Sequence, residues 1–180
     1  MSNTFEGMNN YFKIGKLAGT FGLEGQVVLQ HSLGKKTSLS KLENIFIEQN
    51  KNSFLPYFIE SAKAKSSDEV YLKLEGVSTK EAARFLIKND VWIEESDFKI
   101  LAASTAPISF LGFTVINENE VIGEVIEVIE QPHQVLCKIL IEGKEALLPL
   151  HEQTLEKIDK KKRTLYLNLP EGLLDIYKDA

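Results

Sequence analysis

Residues Val135–Leu148 read VLCKILIEGKEALL. Val135, Cys137, Ile139 and Ile141 recur with a period of two, so they share one face of a strand, while Lys138 points to the other. Glu142-Gly143-Lys144 interrupts the run with turn chemistry, and Glu145–Leu148 resumes it. The pattern is that of an antiparallel hairpin with one buried face.

The same grammar extends in both directions. Downstream, Leu155–Asp159 and Thr164–Leu169 flank Lys160–Arg163, and Pro170–Ala180 is left as a short turn or helix. Upstream, Phe113–Ile116 and Val121–Ile129 flank Asn117–Glu120. The first half carries runs of the same length: Phe12–Leu17, Gln26–His31, Asn44–Gln49, Tyr57–Lys65, Val70–Leu74 and Val91–Glu94. In Val70–Leu74 (VYLKL) the alternation is clean, with Val70, Leu72 and Leu74 on one face and Tyr71 and Lys73 on the other. Many short strands separated by turn signals make an all-β chain of barrel or sandwich type. One helix interrupts the strands, over about Thr79–Ile87. Ser78 followed by Glu81 has capping-box spacing, and Ala82, Ala83, Phe85 and Leu86 fall at helical intervals. Residues 97–107 (DFKILAASTAP) have no period and end on proline, which reads as a linker. It separates a first domain, 1–96, from a second, 108–180.

Charge divides along the same line. Residues 1–96 carry 12 Lys and Arg against 12 Asp and Glu, and residues 97–180 carry 9 against 14, so the formal net charge of -5 resides in the second half. An acidic half repels phosphate along a broad face and suits a basic protein partner, or serves equally to keep the chain in solution. The single cysteine, Cys137, permits no intrachain disulfide and fits a reducing compartment. The first ten residues, MSNTFEGMNN, hold no apolar signal core, and no run approaches the length of a membrane span. We read the chain as cytoplasmic, with no membrane association.

No compact catalytic set emerges. Gly19, Gly22 and Gly25 are spaced as in phosphate-binding loops, but a strand-like QVVLQH follows where such a loop needs a helix, so a tight inter-strand loop is favoured. His31, His133 and His151 lie far from one another and from Cys137, without zinc-ligand spacing. No metal or cofactor is expected. Cys137 shares its face with aliphatic side chains and reads as core. Glu118, Glu120, Glu124, Glu127 and Glu130 read as a solvated outer face. Lys160, Lys161, Lys162 and Arg163 form a basic hairpin tip with two readings, a phosphate contact or an exposed polar turn.

Three stretches resemble the RimM family. IGKLAGTFGLEGQVV (Ile14–Val28) resembles its G-K-x-x-x-x-H-G-x-K-G-E segment, with Phe21 in place of histidine and Glu24 and Gln26 in place of lysine and glutamate. LEGVSTKEAARFL (Leu74–Leu86) resembles its G-V-x-x-x-E-A-x-x-L stretch. LLPLHEQTLEKIDKKKRTLYLNLPEGLL (Leu147–Leu174) resembles its L-I-P segment, hairpin and P-E-G-L-L ending. The aromatic pair that the family places before its L-I-G segment is missing before Phe110-Leu111-Gly112-Phe113.

The resemblance implies a six-stranded N-terminal barrel and a C-terminal PRC-type barrel. It also implies a non-enzymatic assembly factor of the small ribosomal subunit, which meets the subunit head through ribosomal protein uS19 and supports 16S rRNA processing. The candidate partner-binding residues are Gly19, Thr20, Phe21, Gly22, Leu23 and Gly25, then Phe110, Leu111 and Phe113, then Lys160–Arg163, although core burial is the favoured reading of Phe110 and Phe113. The expected partner is a small-subunit precursor, with a possible rRNA contact, met by a monomer. The competing reading is a general RNA-binding barrel of OB type, against which the neutral-to-acidic charge counts.

Overall fold

The computed structural model describes residues 11–178. The N-terminal stretch read above as lacking a signal core lies outside the described residues. The chain divides into two compact units, Met1–Ala106 and Pro107–Ala180.

In the first unit, six strands close a barrel: β1 (Tyr11–Phe21), β2 (Gln26–His31), β3 (Asn44–Asn50), β4 (Ser53–Ala64), β5 (Glu69–Leu74) and β6 (Asp90–Glu94). They run in the order β1-β2-β5-β4-β3-β6, every neighbour antiparallel. Closure depends on the length of β1. Tyr11–Lys16 pairs with β6, Gly15–Phe21 pairs with β2, and register shifts at Lys13/Gly15 and Leu17/Gly19 bend the strand between its two partners. Alternation fills the interior: Ile14, Leu17, Val27, Leu29, Ile45, Ile47, Val70, Leu72, Leu74, Val91 and Ile93 are all essentially inaccessible. Each such side chain contributes roughly 1.5–3 kcal/mol by leaving water.

The helix is shorter than its spacing predicts. It spans α1 (Lys80–Arg84), and its N-cap is Thr79, whose side chain accepts from the Ala82 N–H at 3.2 Å. Ser78 therefore does not cap it. Two stripes compete on so short a helix, Ala82 with Phe85 and Ala83 with Leu86; the second turns inward, and Phe85 is left outside. Thr79→Ala is expected to cost about 1 kcal/mol in urea unfolding and Ser78→Ala much less; equal losses would contradict the cap assignment.

Residues 97–107, which composition reads as linker, begin inside a second helix, α2 (Glu95–Leu101). Phe98 is buried and meets Phe12 edge-on, with ring centroids 4.9 Å apart. Beyond the helix, the Ala103 N–H donates to the Leu33 carbonyl at 2.8 Å. The Lys35 ammonium also donates to the Ile100 carbonyl at 3.2 Å, and none of these ties has a periodic signature in sequence.

His31 ends β2 inside the barrel wall. Its Nδ1 accepts the Leu33 N–H at 3.3 Å, and among the described residues Nε2 has no hydrogen-bond partner. Burial holds the imidazole below its ordinary pKa, against an opposing pull from Asp68. The unfolded chain then takes up this proton at a higher pH than the folded one. Stability is therefore full above the ordinary imidazole value and falls as pH drops from it toward the lowered folded value. Urea midpoints from about pH 7.5 to about pH 5.5 should decline, and His31→Gln should flatten the decline. An equally steep variant would remove His31 as the cause.

The second unit opens with a 3-10 turn, Pro107–Phe110, followed by seven strands: β7 (Thr114–Asn117), β8 (Glu120–Glu124), β9 (Glu127–Gln131), β10 (Gln134–Ile141), β11 (Lys144–Leu150), β12 (Leu155–Asp159) and β13 (Thr164–Leu167). A short α3 (Asp175–Lys178) follows. Two sheets result, β11-β10-β9 and β12-β13-β7-β8. The expected hairpins are present at Asn117–Glu120, at Ile141–Lys144 and at Asp159–Thr164. Two of them turn through left-handed residue pairs, Glu118 with Asn119 and Glu142 with Gly143, which match the twist of the flanking strands. Hairpin logic does not anticipate the parallel pairing of β13 with β7.

The run 121–129 is two strands rather than one. At Val125 the chain changes sheets: the Val125 N–H donates to Phe113 O at 2.9 Å, and the next N–H, of Ile126, donates to Lys138 O at 2.9 Å. Just before the crossing Gly123 passes close to β10, where a Cβ would be tight, 3.3 Å from the Ile139 side chain and 3.1 Å from the Leu140 carbonyl. Cys137, Ile139, Ala146, Leu148, Val115, Leu165 and Leu167 fill the space between the sheets. Among the described residues, no helix is long and apolar enough to cross a membrane.

Candidate partner-binding surfaces

Among the described residues, no three His, Cys, Asp or Glu side chains are grouped to hold a metal ion. Cys137 is fully buried, and desolvation pushes its thiol up to about 12, far from a thiolate nucleophile. His151 is exposed, and its Nδ1 accepts the Gln153 N–H at 3.2 Å within a turn. Glu118, Glu120, Glu124 and Glu130 are exposed, whereas Glu127 is not simply solvated. It pairs with Lys138 at 2.7 Å, and Glu145 joins the same ammonium at 3.2 Å. Burial alone would lower the Lys138 pKa, but the two carboxylates outweigh it and hold the charge firmly.

The glycine segment is mostly strand. Gly19, Thr20 and Phe21 pair with Val28, Val27 and Gln26, and only residues 22–25 form the turn. Gly22 and Gly25 take φ of 66° and 78° there. A Cβ at Gly25 would stand 2.5 Å from the Val77 carbonyl, so the turn lies tight against the segment leading into α1. Lys73 fastens it by donating to the carbonyls of Glu24, at 2.7 Å, and Val77. Two apolar side chains emerge from this tethered tip: Phe21, 48% exposed, and Leu23, 80% exposed. Gly19 and Thr20 line a shallow depression with Arg84, Ile87 and Lys88.

The other two segments are placed differently. Leu111 and Phe113 are buried, and Phe110 is half-buried against Phe113, with centroids 5.6 Å apart. This stretch is core, and its rings offer little to a partner. At the basic tip, Asp159 accepts the backbone N–H groups of Lys161 and Lys162 at 3.1 and 3.0 Å, which holds its carboxyl below the usual range and fixes the turn. Lys160, Lys161 and Lys162 are exposed. Arg163 is half-buried: it donates to Leu111 O at 3.0 Å and lies 5.7 Å from the Phe113 ring centre. The tip therefore presents three lysines, and its arginine anchors it to the Phe110–Phe113 segment.

Sequence reasoning missed Phe85, the most exposed large apolar side chain described, at 85%. It borders a shallow groove with Gln49, Tyr57 and Leu86. A phenylalanine at helical spacing signals burial, and only the choice of the Ala83–Leu86 stripe reverses that.

Comparison with known proteins agrees with this architecture. The RimM N-terminal domain matches residues 12–98 and the RimM PRC barrel domain matches residues 107–173. A ribosome maturation factor RimM from Christiangramia forsetii is 29% identical over 92% of this chain and 95% of its own length. That from Parabacteroides distasonis is 31% identical over 92% and 96%. A solved structure of a 16S ribosomal RNA processing protein RimM from Pseudomonas aeruginosa aligns over 89% of this chain and 98% of its own, at 18% identity and a TM-score of 0.41. With both domains matched in order and relatives that align from end to end, the chain belongs to the RimM family of ribosome maturation factors.

Proposed function

We propose that this protein is a non-enzymatic, cytoplasmic binding factor that acts as a monomer on precursors of the small ribosomal subunit, meets the subunit head through ribosomal protein uS19 and favours 16S rRNA processing. The observation that carries the reading is the joint match of both RimM domains, in order, across nearly the whole chain. The charge division supports it, since the acidic second half complements a basic ribosomal protein. A factor of this kind works by differential affinity. It binds one state of a folding RNA–protein intermediate better than another, and so shifts its population. The contacts we assign to it are Phe21 and Leu23 at the β1–β2 tip and Lys160–Lys162 at the β12–β13 tip.

Depletion of the protein from cells, followed by gradient sedimentation, tests the reading. Small-subunit precursors with unprocessed 16S rRNA should accumulate, and restored protein should sediment with them. Normal subunit profiles after depletion would end the proposal. For the basic tip, Lys161→Ala with Lys162→Ala should reduce the salt dependence of precursor binding by a slope of about 1.5, roughly 0.7–0.9 for each phosphate no longer neutralised. An unchanged slope would leave the lysines as a solvated turn.

A further inference from the structure

The outer wall of the first barrel places Phe21 beside three residues that neither core packing nor the proposed contacts use, Lys63, Lys65 and Tyr71. Tyr71 and Lys73 stand on the face of β5 opposite the buried Val70, Leu72 and Leu74. Phe21 reaches this wall from β1, and its ring lies 4.3 Å from that of Tyr71, tilted by 36°. Lys63 of β4 sits directly across from Tyr71 in register and is exposed. Lys65 places its ammonium 5.7 Å from the Tyr71 ring centre while paired with Glu69 at 2.9 Å. Lys73 is spent on tethering the β1–β2 tip, which fixes the strand that carries Phe21.

We propose that this wall, with Phe21 and Tyr71 as a stacking platform and Lys63 and Lys65 at its border, binds single-stranded RNA. Two properties select that ligand. Half of Phe21 remains exposed although a ring already packs against it, so a flat surface is held ready for a second flat group. Lys63 and Lys65 place two ammonium groups at the border, the second shared with Glu69, in the half of the chain whose net charge is zero rather than in the acidic half. An unpaired nucleotide supplies both complements, a base for the platform and a phosphate for the ammonium groups. An acidic peptide answers only the lysines, and duplex RNA keeps its bases stacked within itself. The inference rests on the reading above insofar as the RNA is that of a small-subunit precursor.

The test uses the full chain and a short fluorescein-labelled single-stranded RNA, with fluorescence anisotropy recorded across a salt series. Wild-type protein should bind with salt-dependent affinity. Phe21→Leu should weaken binding by about tenfold at an unchanged salt slope, as expected when one base stack is removed. Lys63→Gln with Lys65→Gln should lower the slope by roughly 1.4, for two single-strand phosphates. Circular dichroism checks the fold of each variant; the lysine pair is exposed, so its result decides the matter even if Phe21→Leu unfolds. Absence of RNA binding by wild-type protein overturns the proposal, as does lysine-pair binding equal to wild type. Displacement of the RNA by polyglutamate at equal charge concentration overturns it in favour of an acidic protein partner. Sedimentation of wild-type protein with precursors is scored separately. Protein that rides on precursors yet ignores free RNA refutes this site alone, and protein that does neither refutes the functional reading as well.

Discussion

Gly15→Ala is expected to unfold the first barrel under conditions in which the wild-type protein is folded. Gly15 and Lys16 are where β1 meets both of its neighbours, Gly15 opposite His31 on β2 and Val91 on β6. A Cβ there would lie 1.9 Å from the Gln30 carbonyl oxygen and 2.8 Å from the His31 Cα. Both obstacles are backbone, so no rotamer change relieves the clash. Relief requires β1 and β2 to separate, and the barrel opens along that seam. Overpacking of this kind costs about 3 kcal/mol or more. The chain has one tryptophan, Trp92, which lies opposite Lys13 in the β1–β6 pairing. Its fluorescence therefore reports the opposite side of the same strand, the β1–β6 pairing, during urea unfolding. A wild-type midpoint in the variant would show that the strands can part here at little cost.

The second large effect lies in the other unit. Ile139→Ala should cost roughly 2–5 kcal/mol, the usual range when a fully buried aliphatic side chain is cut back and its neighbours cannot close the void. Ile139 is inaccessible to solvent, and Gly123 passes directly over it where the chain changes sheets. The cavity would open beneath the crossover that joins the two sheets. Leu140, its neighbour in sequence, points outward and is 44% exposed, so Leu140→Ala should stay within about 0.5 kcal/mol. Urea unfolding followed by far-ultraviolet circular dichroism separates the two. Comparable losses would mean that burial does not govern this strand.

What the sequence disclosed follows a clear division. Where one side of a strand meets a core and the other meets water, alternation identifies the element: Val70, Leu72 and Leu74 are inaccessible, and Tyr71 and Lys73 are not. Hairpin turns were equally legible, because Asn119 and Gly143 are residues that tolerate left-handed backbone. Features set by distant parts of the chain were not. The break at Val125 depends on Phe113 and Lys138, and the parallel β13–β7 pair joins segments far apart in sequence. The candidate surfaces divide in the same way. Phe21 and Phe113 are the same residue type in similar apolar company, yet one is half-exposed and the other buried. Only the closure of each sheet determines which. Arg163 looks like its three lysine neighbours in sequence, and its role as an anchor depends on a carbonyl at Leu111, 52 residues away.

Because the protein has a single cysteine and that cysteine sits sealed in the middle of β10, it contains its own opening counter. An alkylating reagent that ignores the native state will mark Cys137 only during moments when the sheet parts, so the yield of labelled thiol over time measures how often it does so. Measured with and without precursor particles, that rate would reveal, without any introduced probe, whether a bound partner steadies the second unit.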